Sequence, residues 1–258
     1  MNRIFKGCIY FLSVIVSTDG FAQQRKFSLD LEAAHFQNVE DNLVPLRNVG
    51  PAVHIGVAYS IERFESIDLF RLSSTLTLPK TAIENVRESY TGKLSLSYDR
   101  LYNIKEKFFL GFSINADYRD GFYKAIDQSH LYWTSFLGGG LSGDFKQRVG
   151  NSANLTMHFN IPVFGLVSRP AIDRYYKVDD PSLGNLIKLN HSNYSFALAN
   201  QYINPKLEVM YDFKVATGVA MGLFLRSQYL KTVPKNSGRY EEFQNGFGIV
   251  VSHNRVLR

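Results

Sequence analysis

The sequence predicts an all-β protein: a closed antiparallel transmembrane β-barrel, most simply of ten strands, with twelve as the alternative. Three observations predict it. Apolar and polar residues alternate along almost the whole chain, the connections between alternating stretches are short and long in turn, and aromatic residues collect near the ends of the apolar rows.

The N-terminus reads as an export signal. Arg3 and Lys6 precede the short apolar run "CIYFLSVIV", and "STDGFAQQ" follows with small residues at Gly20 and Ala22. This basic, apolar, small-residue order is that of a secretory signal peptide cleaved after Ala22 or Gln23. Residues 1–22 are therefore expected to be removed, leaving 23–258 as one barrel domain. The apolar run falls short of the roughly 20 residues a membrane-spanning helix needs. The only cysteine, Cys8, lies inside this segment and ahead of the cleavage point. That position argues against a lipid anchor, and it leaves the mature chain without disulfides, thiolate nucleophiles or cysteine metal ligands.

The formal charge is +6. Basic residues occur singly and among acids, so no patch suited to nucleic acid forms, and no nucleic-acid partner is expected.

The alternating stretches follow in order. Phe27, Leu29 and Leu31 alternate with Ser28, Asp30 and Glu32; Val53, Ile55, Val57 and Tyr59 alternate with His54, Gly56, Ala58 and Ser60. Phe70, Leu72 and Leu76 oppose Arg71, Ser73 and Thr75, and Leu94, Leu96 and Tyr98 oppose Lys93, Ser95, Ser97 and Asp99. Phe108, Leu110, Phe112, Ile114 and Tyr118 oppose Lys107, Ser113, Asn115 and Asp117. A sixth strand places Trp133, Leu137, Leu141 and Phe145 against Thr134, Ser142 and Asp144; its "GGG" run matches no phosphate-loop spacing and reads as a bend or close packing. The seventh, "SANLTMHFNIPVFG", sets Leu155, Met157, Phe159 and Ile161 against Asn154, Thr156, His158 and Asn160. Residues 194–213, 219–230 and 246–253 complete the count. Pro205 makes the first of these either one bulged strand or two short ones.

Short turns near Phe64, Asn103, Gly150 and Gly218 alternate with long polar stretches at 37–50, 79–88, 120–130, 168–192 and 231–245. Barrels of outer membranes segregate loop lengths in this way, and soluble sandwiches have no reason to. Tyr90, Tyr98, Phe108, Tyr118, Trp133, Phe145 and Tyr229 stand where aromatic girdles belong. Lipid is thus expected on the apolar side, which turns the polar rows into a lumen. A network of His54, Arg71, Lys93, Asp99, Lys107, Asp117 and His158 is expected there, with Asp144, Glu208, Asp212 and Arg226 on the same faces.

The ending "GFAQQ", the cysteine-free mature chain and strands such as "AVHIGVAYSI" and "FFLGFSINADY" resemble the outer-membrane β-barrel proteins of Gram-negative bacteria, particularly those of Bacteroidota. The resemblance covers nearly the whole mature chain and is architectural; it identifies no functional subfamily. It implies an outer-membrane location with both termini periplasmic, and contact with outer-membrane lipid, lipopolysaccharide and other envelope proteins. Such barrels end on an aromatic residue of the last strand, whereas "NGFGIVVSH" is followed here by "NRVLR".

Catalytic arrangements fit poorly. In "LNHSNYS", His191 and Ser192 are adjacent and would point to opposite faces of a strand, and the spacing departs from that of barrel lipid hydrolases. Asp179, Asp180, His130 and His191 supply the residue types of a barrel protease without its spacing. No catalytic residue, metal site or cofactor is assigned. The loop "SRPAIDRYYKVDDPSLG" concentrates Arg169, Arg174, Tyr175, Tyr176, Lys177, Asp179 and Asp180 and is the candidate partner-binding segment, since Tyr and Arg are favoured at interfaces. The expected role is a non-enzymatic structural or binding subunit of an envelope complex. A narrow channel for small solutes is the alternative, followed by a lipid hydrolase or protease.

Overall fold

The computed structural model describes residues 23–41, 44–81, 89–123, 132–170, 194–234 and 238–257; the expected signal peptide lies outside them. The chain forms strands β1 (Gln23–Glu40), β2 (Val44–Glu62), β3 (Ser66–Thr77), β4 (Lys80–Thr81), β5 (Ser89–Lys105), β6 (Phe108–Tyr123), β7 (Tyr132–Val149), β8 (Ala153–Ser168), β9 (Tyr194–Leu198), β10 (Tyr202–Ile203), β11 (Lys206–Ala216), β12 (Val219–Thr232) and β13 (Tyr240–Leu257).

Ten of these close a barrel in the order β1-β13-β12-β11-β8-β7-β6-β5-β3-β2, with β2 returning to β1. The pairings are antiparallel throughout. Closure follows from the medium: an unpaired amide in hydrocarbon costs several kcal/mol, and a closed sheet has none at an edge. The short strands are satellites. β4 extends the β2 edge, whereas β9 pairs β8 and β10 pairs β12, so both continue the wall position of β11 beyond an interruption. The stretch around Pro205 is therefore one crossing broken once, and the ten-strand count holds.

The faces are inverted relative to a soluble protein. Leu31, Ile55, Leu72, Leu96, Ile114, Leu141, Leu223 and Ile249 are exposed on the outer wall, while Glu32, Asp99, Asn115, Ser142 and His158 are buried inside. The β8 segment follows this division: Met157 and Ile161 face outward, and His158 and Asn160 face the lumen. The phase then changes. Gly139 pairs Phe164 while Gly140 pairs Pro162, leaving Val163 as the extra residue of a bulge. Val163 and Phe164 are consequently both exposed on the outer wall. The glycine run sits opposite: a side chain at Gly140 would begin 2.3 Å from the Ile161 carbonyl oxygen, so close strand approach requires glycine there.

One end of the barrel carries both strand termini and the tight connections 63–65, 106–107, 150–152 and 217–218; we call it the turn end. Gly150 and Gly218 adopt φ of 64° and 75°, the left-handed region that glycine enters freely. The opposite, loop end departs from expectation in one connection. Residues 37–50 are not a long loop, because β1 and β2 pair from Gln24↔Glu62 to Glu40↔Val44 and leave three residues between them. The last strand is also longer than its alternation suggested: "NRVLR" is mostly strand, with Arg255, Val256 and Leu257 opposite Arg25, Gln24 and Gln23. Trp133 corrects the girdle. It has the outward phase of Leu137 yet is buried, its indole N–H donating to Ser168 Oγ at 3.3 Å.

Candidate functional site

Inward-facing side chains fill the lumen in tiers. At the loop end, Phe136, Val167, Ala197, Tyr202, Leu230 and Tyr240 form an apolar cluster in which the Phe136 and Tyr202 rings stack. Two ion pairs flank it. Arg119 pairs with Glu242, which also accepts from the Tyr240 hydroxyl at 2.7 Å, and Arg169 donates to Glu40 Oε1 at 2.6 Å and Thr134 Oγ1 at 2.5 Å. Arg169 also lies over the Tyr240 ring. This placement corrects its assignment to a partner-binding loop: Arg169 is 1 % exposed and belongs to the interior. Arg174, Tyr175, Tyr176, Lys177, Asp179 and Asp180 lie outside the described residues, as do His130, His191 and Ser192.

Below this tier Asp117 collects Lys206 Nζ at 3.2 Å, Asn204 Nδ2 at 3.1 Å and the Tyr202 hydroxyl at 3.4 Å. Gln228 accepts from Lys93 and donates to Asn204 Oδ1 at 2.6 Å, which links the two predicted lumen residues Lys93 and Asp117. Asp99 stands apart, accepting from Asn160 Nδ2 at 2.9 Å.

At mid-barrel Arg226 is the hub. Its guanidinium donates to Glu208 Oε2 at 3.0 and 2.6 Å, to Glu32 Oε2 at 2.7 Å and to Asp30 Oδ1 at 3.4 Å. Four formal charges within one network are tolerable in the interior because each carboxylate meets the guanidinium. Arg226 also lies 2.7 Å from His54 Nε2. His54 Nδ1 is 2.9 Å from Thr75 Oγ1, and Asp30 Oδ1 is 3.3 Å from Nε2.

An acid, an imidazole and a hydroxyl in this order suggest a nucleophile triad, but the contacts of the ring oppose it. Arg226, which can only donate, crowds the same Nε2 that Asp30 approaches at 3.3 Å, so the carboxylate does not hold the ring alone as the acid of a triad does. His158 forms a second pair, Nδ1 to Asp144 Oδ1 at 2.5 Å, and no hydroxyl of the described residues is bonded to it. Among the described residues no group of three His, Asp or Glu side chains converges as a metal site would.

The predicted lumen residues thus divide among separate clusters. His54 and Arg71 join the Arg226 network, Arg71 approaching Glu208 Oε1 at 3.7 Å. Lys107 is the exception and a correction. It lies in the β5–β6 turn, exposed, with Nζ donating to Gln147 Oε1 at 2.7 Å, because the strand ends one residue short of the alternating row. Reasoning by alternation assigned no role to Glu32, Arg119 or Lys206, although each sits on the inward phase and the phase alone would have found them.

The turn half of the lumen is not filled. A cavity of about 160 Å³ lies there, lined by the cations Lys26, Arg71, Lys93, Lys146, Lys206 and Arg226 and the carboxylates Asp30, Glu62, Asp144 and Glu208. Lys146 and Glu62 pair at its turn-end margin and stay 28 % and 31 % exposed, so the cavity communicates with that side. Two gaps in the loop half measure only about 10 Å³ each, room for one water apiece.

A closed sheet with an apolar outer wall and a charged, hydrogen-bonded interior defines the class: a transmembrane β-barrel of the outer-membrane type. No protein-family model matches the chain, and no curated protein sequence does. Solved structures similar to it are Gram-negative outer-membrane barrels. Neisserial surface protein A is 10 % identical with a TM-score of 0.38, over 87 % of this chain and 96 % of its own. The outer membrane protease OmpT from Escherichia coli is 9 % identical at 0.45, over 93 % and 99 %. The translocator domain of the autotransporter NalP from Neisseria meningitidis is 9 % identical at 0.42, over 96 % and 94 %. At these identities the likeness is one of fold alone.

Proposed function

We propose that the protein is a non-enzymatic outer-membrane barrel that serves as a structural or binding subunit of a Gram-negative envelope complex, with its turn end and both termini in the periplasm. One observation carries the reading: the loop half of the lumen is packed with the Phe136–Tyr202 cluster and the Arg119–Glu242 and Arg169–Glu40 pairs. A barrel of this strand number is wide enough to be filled by side chains and too narrow for a porin channel. With the lumen blocked, what remains for function is the lipid-facing wall, in contact with lipid and lipopolysaccharide, and the two ends. Arg226 at 2.7 Å from His54 Nε2, where the acid of a triad would stand alone, weighs against the hydrolase alternative.

The test is a planar-bilayer measurement on the purified, heat-modifiable barrel, joined to mild-detergent extraction from outer membranes. Silence in the bilayer and a stoichiometric co-purifying envelope protein are expected. Reproducible open-channel steps overturn the reading in favour of a solute channel.

A further inference from the structure

The turn-side cavity holds a cation whose hydrogen-bonding capacity the fold leaves unspent. Arg71 reaches into it from β3, its side chain 29 % exposed, and its nearest carboxylate oxygen, Glu208 Oε1, is at 3.7 Å, beyond a hydrogen bond. No described residue hydrogen-bonds its guanidinium. The acids around it are committed elsewhere. Glu208 Oε2 takes two bonds from Arg226, and Asp144 Oδ1 is held by His158. Ser97 lies directly across the ladder from Arg71 and Ser73 two residues along the same face, and both serines line the cavity with it.

A planar guanidinium with open donors in a confined site recognises oxyanions, two oxygens at a time. Of the cavity's cations, Lys26, Lys146, Lys206 and Arg226 are paired with Asp212, Glu62, Asp117 and Glu208, whereas Arg71 keeps its guanidinium donors open. Lys26 and Lys146 stand toward the turn end, paired with Asp212 and Glu62 and with side chains 20 % and 28 % exposed, so that side is the open approach to Arg71. Size limits the occupant: a buried cavity of about 150 Å³ admits a molecule the size of benzene, and the cavity here is about 160 Å³.

We propose that this vestibule binds a small oxyanion of phosphate size, with Arg71 as its principal contact and Ser73 and Ser97 as neighbouring donors. Because the loop half is blocked, the anion leaves by the opening it entered, and the site is a receptor rather than a stage of transport. This rests on the reading of a blocked lumen, yet the two fail separately. Conductance steps overturn the blockage whatever the titration shows, and a titration without binding overturns the site in a silent barrel.

The experiment is calorimetric titration of the detergent-solubilised barrel at low ionic strength with inorganic phosphate and, in parallel, glycerol 3-phosphate. Inorganic phosphate is expected to bind with a Kd on the order of 1 mM, weakened roughly tenfold or more in Arg71→Gln and partly retained in Arg71→Lys. Ser97→Leu fills the cavity without altering its charge and is expected to abolish binding, which decides the matter if Arg71→Gln does not fold. Phosphate binding without glycerol 3-phosphate binding assigns the site to the free anion; equal binding of both assigns it to phosphate esters. Absence of binding by the unaltered protein, or unchanged affinity in both Arg71→Gln and Ser97→Leu, overturns the proposal.

Discussion

Phe136 and Tyr202 stack face to face inside the barrel, their ring centroids 3.9 Å apart and their planes 3° from parallel. The contact joins β7 to the interrupted crossing that contains β10. Phe136→Ala is expected to destabilise the barrel by about 3 kcal/mol, the cost of an aromatic removed from a packed interior. The shift in urea midpoint of the lipid-reconstituted protein measures it. The double variant Phe136→Ala/Tyr202→Ala is expected to add small conductance steps to a silent barrel.

Arg226 pairs with Glu32, Asp30 and Glu208 together. Arg226→Met leaves these carboxylates without their cation, at a cost of about 3–5 kcal/mol. Glu208→Gln in the same chain is expected to recover part of that loss, and a double-mutant cycle reads the recovery as a non-additive term. Strictly additive losses would deny the network.

Depth in the bilayer separates two exposed apolar positions. Leu96 is 54 % exposed at the middle of β5, and Phe64 is 87 % exposed in the tight turn after β2. Leu96→Arg is expected to cost about 2–4 kcal/mol and Phe64→Arg about 0–1 kcal/mol. Equal tolerance of both, in folding yield and unfolding midpoint, would mean that the wall does not face hydrocarbon.

Asp99 is 0 % exposed and its Oδ2 meets no donor, whereas Asp144 is held by His158. Asp99→Asn keeps the shape, removes a poorly compensated charge and is expected to leave the unfolding midpoint unchanged or raised. Asp144→Asn weakens a charge-assisted bond and is expected to lower stability by about 1–3 kcal/mol. The two midpoints, compared in one preparation, check the contrast.

The wall was legible in the sequence because alternation is a local signal: the residues flanking His158 reveal which side of β8 is wet. Its exceptions are local too, but ambiguous. "PVFG" contains two adjacent apolar residues that a bulge turns outward together, and nothing in their types separates that from a phase error. Lys107 kept the inward phase but fell beyond the strand end, and Trp133 kept the outward phase but was covered. The lumen's pairings were not legible. Arg226 and Glu32 are 194 positions apart and meet only because the sheet closes, so no window along the chain contains both. The open donors of Arg71 were invisible for the same reason, since an arginine reads identically whether a distant carboxylate hydrogen-bonds it or stops at 3.7 Å.

The seam between β1 and β13 joins the barrel's first strand to its last: Glu32 accepts from Gln244 across 212 positions. No partial chain can bury its amides in hydrocarbon, so the nascent protein has no stable membrane-inserted intermediate of its own. Its long-range pairing also makes closure slow. Insertion of the wall therefore waits on β13, because the barrel loses its last open edge only when β1 and β13 meet.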